Sequence, residues 1–292
     1  MKKLIILFAA LILAYPESKG QAIEIIQEKK IYKEINGLDL AVDVFYAPEK
    51  IKESNNPVIA LFHGGGWVYG SPEEFHGACK RYAERGFKTF SFQYRLSING
   101  DGSYPHPEIS PIESVKDARS AIRWLRENAN ELGIDPDKIV VGGQSAGGQL
   151  ALSTVFAEEI NEETDNLDVS PVPDALLLFS SCYNTMEAWI DNLLADRRQR
   201  IWDISPYHNL RSGMPPAIAF HGNADCMVMY YTVLFFNDRM RELGNDFELV
   251  TLEGRDHYLG EGSADEEKYA RYFDEEILEK ADAFLEKLGY LE

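Results

Sequence analysis

An α/β fold with a mostly parallel central sheet is predicted by two kinds of periodicity that alternate along the chain. Short runs rich in apolar, β-branched and aromatic residues are typical of buried strands. They occur at 40–46, 58–63, 87–94, 139–142, 175–180, 217–221 and 247–252. Longer segments with helical spacing lie between most of these runs. Because strands that alternate with helices favour parallel pairing, we predict one layered α/β unit with helices on both faces of the sheet.

The clearest predicted helix spans residues 112–132. Its apolar residues are spaced by three and four positions, so they form one stripe along a helix. They are Val115, Ala118, Ile122, Leu125, Ala129 and Leu132. Pro111 before the segment and Gly133 after it are start and stop signals. Further helices are predicted at 73–85, 146–156, 230–243 and 266–288.

Three segments interrupt the alternation. Asn36-Gly37 is a strong turn pair, so we expect an antiparallel hairpin that ends in the strand at 40–46. Residues 158–173 are acidic and contain proline, which predicts a surface loop. Residues 183–210 lie between two strands, and we expect them to form a small cap over the site. No linker divides the chain, so residues 21–292 are predicted to form a single domain.

The first 20 residues have the pattern of a secretory signal peptide. Lys2 and Lys3 precede an apolar run at 4–14, and polar residues follow at 16–20. A run of 11 residues is short against the ~20 that cross a bilayer. No cysteine follows the run to carry a lipid. We therefore expect a secreted or periplasmic protein without a stable membrane anchor, and the alternative is a buried N-terminal helix.

The chain is strongly acidic, with 48 Asp and Glu against 29 Lys and Arg and a formal net charge of −19. Residues 1–20 hold three lysines and one glutamate, so their removal takes the net charge to about −21. Such a chain should be repelled by nucleic acid and by anionic membrane surfaces. A small-molecule or carbohydrate partner is easier to reconcile with it. The oligomeric state stays open.

The three cysteines, Cys79, Cys182 and Cys226, lack the spacing of metal ligands. In an oxidising compartment Cys182 and Cys226 could form a disulfide. Both also fit as small buried apolar side chains. The sequence leaves these alternatives open, and we expect neither a metal nor an organic cofactor.

A nucleophile turn is predicted at residues 142–148, Gly-Gly-Gln-Ser-Ala-Gly-Gly. The G-x-S-x-G pattern follows a predicted strand and opens a predicted helix, which is the setting that the motif requires. Glycine on both sides allows a tight turn that projects the Ser145 hydroxyl above the sheet. The N-terminus of the following helix favours negative charge nearby. Ser145 is therefore the candidate nucleophile.

A serine hydroxyl needs a base, and the base needs a carboxylate that orients it. His257 follows the last predicted strand, and Asp225 follows the strand at 217–221. Asp256 is adjacent to His257, but neighbouring side chains on an extended loop usually diverge. The order Ser145, Asp225, His257 is the one expected for a sheet of this kind. We expect His63 and His221 to hold their loops by hydrogen bonds.

An oxyanion hole is predicted from the loop after the strand at 58–63. The loop reads His-Gly-Gly-Gly-Trp at 63–67, and glycine lets backbone N–H groups approach a ligand closely. We expect donors from Gly65 and Gly66, together with the N–H of Ala146 after the nucleophile. The aromatic residues Trp67, Tyr69 and Trp189 could face a sugar or pack in the core.

These motifs together resemble the α/β-hydrolase fold. They are H-G-G-G-W at 63–67, Y-R-L at 94–96, G-I-D-P-D-K-I at 133–139, G-Q-S-A-G-G at 143–148, H-G-N-A-D at 221–225 and G-R-D-H at 254–257. More narrowly, the chain resembles hormone-sensitive-lipase-like esterases and bacterial acetylxylan or feruloyl-type carboxylesterases, from about residue 35 to the end. Many members of the lipase-like group have Asp where Gln144 stands, a departure that favours the carbohydrate-esterase side.

The resemblance implies a serine carboxylesterase that hydrolyses short-chain acyl esters through an acyl-enzyme. Acetyl or feruloyl groups on a plant polysaccharide such as xylan are the expected substrates. A serine exopeptidase shares this fold, but such enzymes usually carry an additional domain that restricts access. A third alternative is a non-catalytic binding module on the same scaffold, which usually lacks a member of the triad.

Overall fold

Within residues 23–259 and 274–291, which the computed structural model describes, eight strands form one sheet. The strands are β1 (Ile26–Ile35), β2 (Leu38–Tyr46), β3 (Asn56–Phe62), β4 (Lys88–Phe92), β5 (Ile134–Gln144), β6 (Ala175–Phe179), β7 (Ala217–Gly222) and β8 (Phe247–Leu252). Their order is β1-β2-β4-β3-β5-β6-β7-β8. β2 pairs antiparallel with β1 and β4, and the six strands β3 to β8 are mutually parallel. The predicted mostly parallel sheet is confirmed.

The expected hairpin joins β1 to β2. Asn36 and Gly37 have φ of 51° and 75°. A two-residue turn with positive φ at both positions matches the twist of the flanking strands. The predicted signal segment, residues 1–20, lies outside the described residues.

Seven helices occur in the described ranges. They are α1 (His76–Ala83), α2 (Pro111–Glu127), α3 (Ala129–Leu132), α4 (Ala146–Phe156), α5 (Ala188–Leu193), α6 (Tyr230–Glu242) and α7 (Glu275–Lys287). The helix predicted at 112–132 is divided between α2 and α3 at Asn128, which has φ −102° and ψ 15°. The Asn128 side chain donates to the carbonyl of Trp124 at 2.8 Å, a local bond that competes with the regular helix. The first part of the helix predicted at 266–288 lies outside the described residues.

The helices cover both faces of the sheet, as predicted. Successive residues of a strand point to opposite faces. Val58, Ala60 and Phe62 of β3 belong to the core cluster shared with α2, α4 and α6. Ile59 and Leu61 belong to the cluster shared with α1 and α7. Because both faces are buried, the carboxyl edge of the parallel strands is the place where their loops form a site.

The two segments predicted to be irregular have different structures. Residues 183–210 contain α5 and two short 3₁₀ segments, Ala195–Ile204 and Tyr207–Asn209. Residues 158–173 contain no helix or strand, but the surface-loop prediction is wrong for Glu162. Glu162 is buried and accepts hydrogen bonds from Lys33 at 3.0 Å and Arg95 at 2.7 Å.

The cysteines are unpaired. Cys79 and Cys182 are buried and Cys226 is exposed, so the disulfide alternative is not the one found. Burial raises the pKa of the Cys182 thiol to about 12, which keeps it protonated near neutral pH. In the part of the chain with described structure, no helix is both long enough and apolar enough to cross a bilayer.

Candidate active site

Ser145 lies in the sharp turn between β5 and α4. Its backbone has φ 53° and ψ −117°, a conformation that residues with a Cβ rarely adopt. The turn is held on both sides, because Ser145 N donates to the carbonyl of Phe179 and Cys182 N donates to the carbonyl of Ser145, each at 3.0 Å. The strand-turn-helix setting predicted for Ser145 is therefore present.

The glycines on either side of Ser145 are required by close backbone contacts. A Cβ on Gly143 would lie 2.4 Å from the carbonyl carbon of Gly147. A Cβ on Gly147 would lie 1.9 Å from the carbonyl oxygen of Phe62. Backbone atoms cannot move aside as a flexible side chain can, so α4 packs against the end of β3 only with glycine at these positions.

Asp225 and His257 meet, although 32 residues separate them. Asp225 follows β7 and His257 follows β8, and these strands are parallel neighbours. His257 Nδ1 lies 2.8 Å from Asp225 Oδ2, and both side chains are buried. The pairing of an imidazole with a carboxylate, predicted from the order of the strands, is present in the structure.

The Asp225 carboxylate accepts three hydrogen bonds and has a longer contact with His221. Oδ1 accepts from the backbone N–H groups of Met227 and Val228, both at 2.9 Å. Oδ2 is shared by His257 Nδ1 at 2.8 Å and His221 Nε2 at 3.2 Å. Burial alone would raise the pKa of Asp225, but the hydrogen bonds from His221 and His257 outweigh burial and hold that pKa well below its usual range. Asp225 is therefore ionised at any neutral or mildly acidic pH.

His221 and His63 hold their loops, as expected. His221 Nε2 lies 2.9 Å from the carbonyl oxygen of Val228, and His63 Nδ1 lies 2.8 Å from that of Gly64. The contact of His221 with Asp225 was not predicted. Both residues belong to the segment 221–225, but their side chains meet only because the loop turns back at Val228.

Gln144 is a further residue that the sequence did not assign to the site. Its Nε2 lies 3.1 Å from His257 Nε2, so among the described residues Gln144, and not Ser145, is the hydrogen-bond partner of that atom. In the sequence Gln144 stood out only as a departure from related esterases. The contact depends on the approach of the loop after β8 to the end of β5, which no local pattern reveals.

The glycine loop after β3 lies beside Ser145. Gly65 and Gly66 have φ of 105° and 60°, and both line the cavity that Ser145 lines. No hydrogen bond within the described ranges uses the N–H of Gly65, Gly66 or Ala146. The Tyr94 hydroxyl donates to the carbonyl of His63 at 3.0 Å, and the two rings stack at 4.2 Å. The start of the loop is thereby fixed, and its N–H groups remain available to a ligand.

A cavity of about 500 Å³ opens above Ser145. None of its lining side chains is an Asp, Glu, Lys or Arg, and His257 is its one imidazole among the described residues. Tyr69, Tyr104 and Trp189 line it and are about half exposed. Trp67 is buried instead, and its Nε1 donates to Gln149 Oε1 at 3.1 Å. Tyr69 and Trp189 thus face the cavity, Trp67 belongs to the core, and Tyr104 was not predicted.

A family model named BD-FAE matches residues 42–240, a range that runs from β2 through α6. The chain belongs to the BD-FAE family. Solved structures of Thermogutta terrifontis esterase 2 are similar to this BD-FAE chain over most of its length. One form is 35% identical, with a TM-score of 0.78 over 91% of this chain and 96% of that one. The native form has a TM-score of 0.79 at 33% identity and covers 91% of this chain and 93% of that one.

Curated relatives match a shorter part of the BD-FAE chain. An arylesterase of Saccharolobus solfataricus is 37% identical over 138 residues, which are 47% of this chain and 41% of that protein. The carboxylesterase NlhH of Mycobacterium tuberculosis is 33% identical over 139 residues, 46% of this chain and 40% of that protein. The matched region thus spans less than half the length of these two relatives. Together, the comparisons support a carboxylic ester hydrolase of the α/β-hydrolase fold.

Proposed function

We propose that this chain is a serine carboxylesterase in which Ser145, His257 and Asp225 form the catalytic triad. The observation that carries the proposal is the convergence of three strand ends: Ser145 in its strained turn borders the same cavity as His257, and His257 is paired with Asp225 behind it. In acylation, Ser145 Oγ bonds to the carbonyl carbon and its proton passes to His257 Nε2. His257 then gives the proton to the departing alcohol. In deacylation, water gives a proton to His257 and its oxygen bonds to the acyl carbon. The bond from that carbon to Ser145 Oγ then breaks, Ser145 takes the proton back from His257, and the acid leaves.

The developing oxyanion is assigned to the N–H groups of Gly65, Gly66 and Ala146. These groups have no other acceptor in the described structure, and the glycines line the cavity. Preorganised donors of this kind stabilise the transition state without reorganisation during the reaction. Loss of one donor typically costs ~10²–10³ in rate.

The proposed substrates are neutral esters with short acyl groups, such as acetyl or feruloyl groups on xylan. The cavity carries no charged lining other than what His257 can acquire, and the chain is acidic overall at −19. Tyr69, Tyr104 and Trp189 offer aromatic faces on which a sugar or a phenolic ring can stack. Thermogutta terrifontis esterase 2 has been solved with propionate and with butyrate bound, which supports short acyl groups.

The catalytic proposal is tested with Ser145→Ala and a matched control, Ser153→Ala. Ser153 lies in α4, where its hydroxyl accepts from Gln149 at 2.8 Å. With p-nitrophenyl acetate, we expect Ser145→Ala to lose ~10⁴-fold or more in kcat and Ser153→Ala to keep its kcat. Equal activity of Ser145→Ala and the wild type would refute the triad.

The substrate is tested by the release of acetate from acetylated xylan and of ferulate from feruloylated arabinoxylan. We expect kcat/KM for at least one of these to exceed that for a dipeptide amide, the substrate of an exopeptidase. Faster turnover of the amide would reverse the assignment.

We also propose that the protein is exported after cleavage of residues 1–20. The support is the sequence pattern of Lys2, Lys3 and the apolar run at 4–14. When the full-length chain is expressed, the protein should be recovered outside the cytoplasm, and N-terminal sequencing should find a new N-terminus near residue 20. Retention in the cytoplasm with residues 1–20 intact would contradict export.

A further inference from the structure

The end of β5 presents two polar side chains to the cavity, Ser145 and Gln144. Gln144 is only 3% exposed, and its Nε2 lies 3.1 Å from His257 Nε2. This is the atom that must take the proton of Ser145 in the proposed reaction. The inference below rests on that proposed function.

The direction of the hydrogen bond follows from the other side of the ring. Asp225 is ionised, because its pKa is held well below the usual range, so Asp225 has no proton to donate. His257 Nδ1 must therefore carry the proton that lies between it and Asp225 Oδ2 at 2.8 Å. A neutral imidazole has a single N–H, which leaves Nε2 as an acceptor. Gln144 must then donate through its amide N–H.

The Gln144 side chain packs against the glycine loop at Gly64. A Cβ on Gly64 would lie 1.8 Å from Gln144 Oε1 and 3.0 Å from Gln144 Cδ. Glycine at position 64 thus provides the room that the amide occupies. The oxygen end of the amide faces the glycine loop and the nitrogen end faces His257. One side chain thereby connects the loop to the base.

We propose that Gln144 is a positioning residue that occupies the lone pair of His257 Nε2 and holds the free enzyme's base as the neutral Nδ1–H tautomer until Ser145 takes its place. Nε2 has one lone pair, so the Ser145 hydroxyl and the Gln144 amide compete for it. An amide N–H cannot bond a protonated Nε2. Gln144 therefore favours the neutral ring, which is the form that accepts the serine proton.

Few other groups face His257 in the described structure. Asp225 approaches from the loop after β7, and the ring of Tyr258 lies 5.5 Å away. Ser145 borders the same cavity. His221 contacts Asp225 rather than His257. All of these groups are retained when Gln144 is replaced, so a changed pH response can be attributed to the amide.

The first test is the pH profile of kcat/KM for p-nitrophenyl acetate. In Gln144→Met the donor is lost at nearly constant size, and we expect the midpoint of the acid limb to rise by ~0.5–1 pH unit. In Gln144→Glu a carboxylate faces the ring and favours its protonated form, so the rise should be larger, ~1–3 units. The matched control is Gln149→Met. Gln149 is equally buried but bonds Trp67 and Ile204, so its acid limb should coincide with that of the wild type.

The second test does not depend on catalysis. Long-range ¹H–¹⁵N spectra of protein labelled with ¹⁵N-histidine report which ring nitrogen carries the proton, and His257→Asn identifies the signals of His257. We expect the Nδ1–H tautomer in the wild type at pH 7 and protonation of the ring at higher pH in Gln144→Met. Coincident pH profiles and ring titrations of Gln144→Met and the wild type would overturn the role of Gln144. A wild type that hydrolyses no ester would overturn the proposed function, while the spectra would still decide the role of Gln144.

Discussion

Replacing Asp225 by Asn changes a single atom in the hydrogen-bond network of the site. The carboxylate has two acceptor edges: Oδ1 serves two backbone N–H groups at 2.9 Å, and Oδ2 serves His257 at 2.8 Å and His221 at 3.2 Å. The substituted amide side chain has one oxygen, so it can accept hydrogen bonds on only one of these two sides. If that oxygen accepts from the two backbone N–H groups, the NH₂ group faces the ring nitrogens of His257 and His221, which both carry protons. His257 can bond it only by moving its proton to Nε2, where the ring no longer accepts the proton of Ser145.

We expect Asp225→Asn to lower kcat about 10⁴-fold, equivalent to ~5 kcal/mol in the activation free energy. KM for p-nitrophenyl acetate should change little, because Asp225 does not line the cavity. The matched control is Asp282→Asn, at a buried carboxylate that pairs with Arg81 instead. A loss below tenfold in Asp225→Asn would refute the assigned tautomer.

Three further predictions concern stability, and urea unfolding measures each of them. Burial lowers the pKa of His63 to about 4, so the unfolded chain binds a proton before the folded chain does as the pH falls. About 3 kcal/mol of the free energy of unfolding should therefore be lost between pH 6.5 and 4. His63→Gln should flatten this pH dependence, and an unchanged slope would contradict the burial argument. Gly147→Ala places a Cβ 1.9 Å from a backbone oxygen at the end of β3 and should lower the free energy of unfolding by ~3 kcal/mol or more. The control is Gly77→Ala in α1, where a Cβ would have nothing within 4 Å, and it should be neutral or stabilising. Equal effects of the two variants would contradict the packing argument. Trp67→Phe removes the donor to the buried oxygen of Gln149, so it should lower the free energy of unfolding by ~1–3 kcal/mol while kcat is retained. An unchanged stability would show that this hydrogen bond contributes nothing.

The parts of the fold that follow from local pattern were predictable. The helix at 146–156 matches α4 at both ends, because a glycine turn marks its start and its apolar content is high. The division of the helix at Asn128 was not predictable from the apolar stripe. That stripe continues through Ala129 and Leu132, and the break coincides with a hydrogen bond from the Asn128 side chain to the backbone. The burial of Glu162 likewise depends on Lys33 and Arg95, which are distant in sequence.

The members of the candidate site that follow strand ends were predictable in position. Ser145, Asp225 and His257 come after β5, β7 and β8, and parallel strands bring such loops to one edge. Gln144 and Tyr104 were not, because their contacts join segments without any shared pattern. Tyr104 reaches the cavity from the irregular segment between β4 and α2, where its ring meets Tyr69 edge to face at 6.4 Å. Such contacts depend on how loops close on one another, which no local sequence pattern encodes.

Covalent labelling by paraoxon tests most directly whether Ser145 is the nucleophile. Thermogutta terrifontis esterase 2 has been solved phosphorylated by this compound, which supports the choice of probe. Intact mass and peptide mapping should show one diethylphosphoryl group on the peptide that contains Ser145. Ser153→Ala should be labelled equally, and Ser145→Ala should remain unlabelled. Labelling of Ser145→Ala at the wild-type rate, or a label on another residue of an inactivated wild type, would contradict the account.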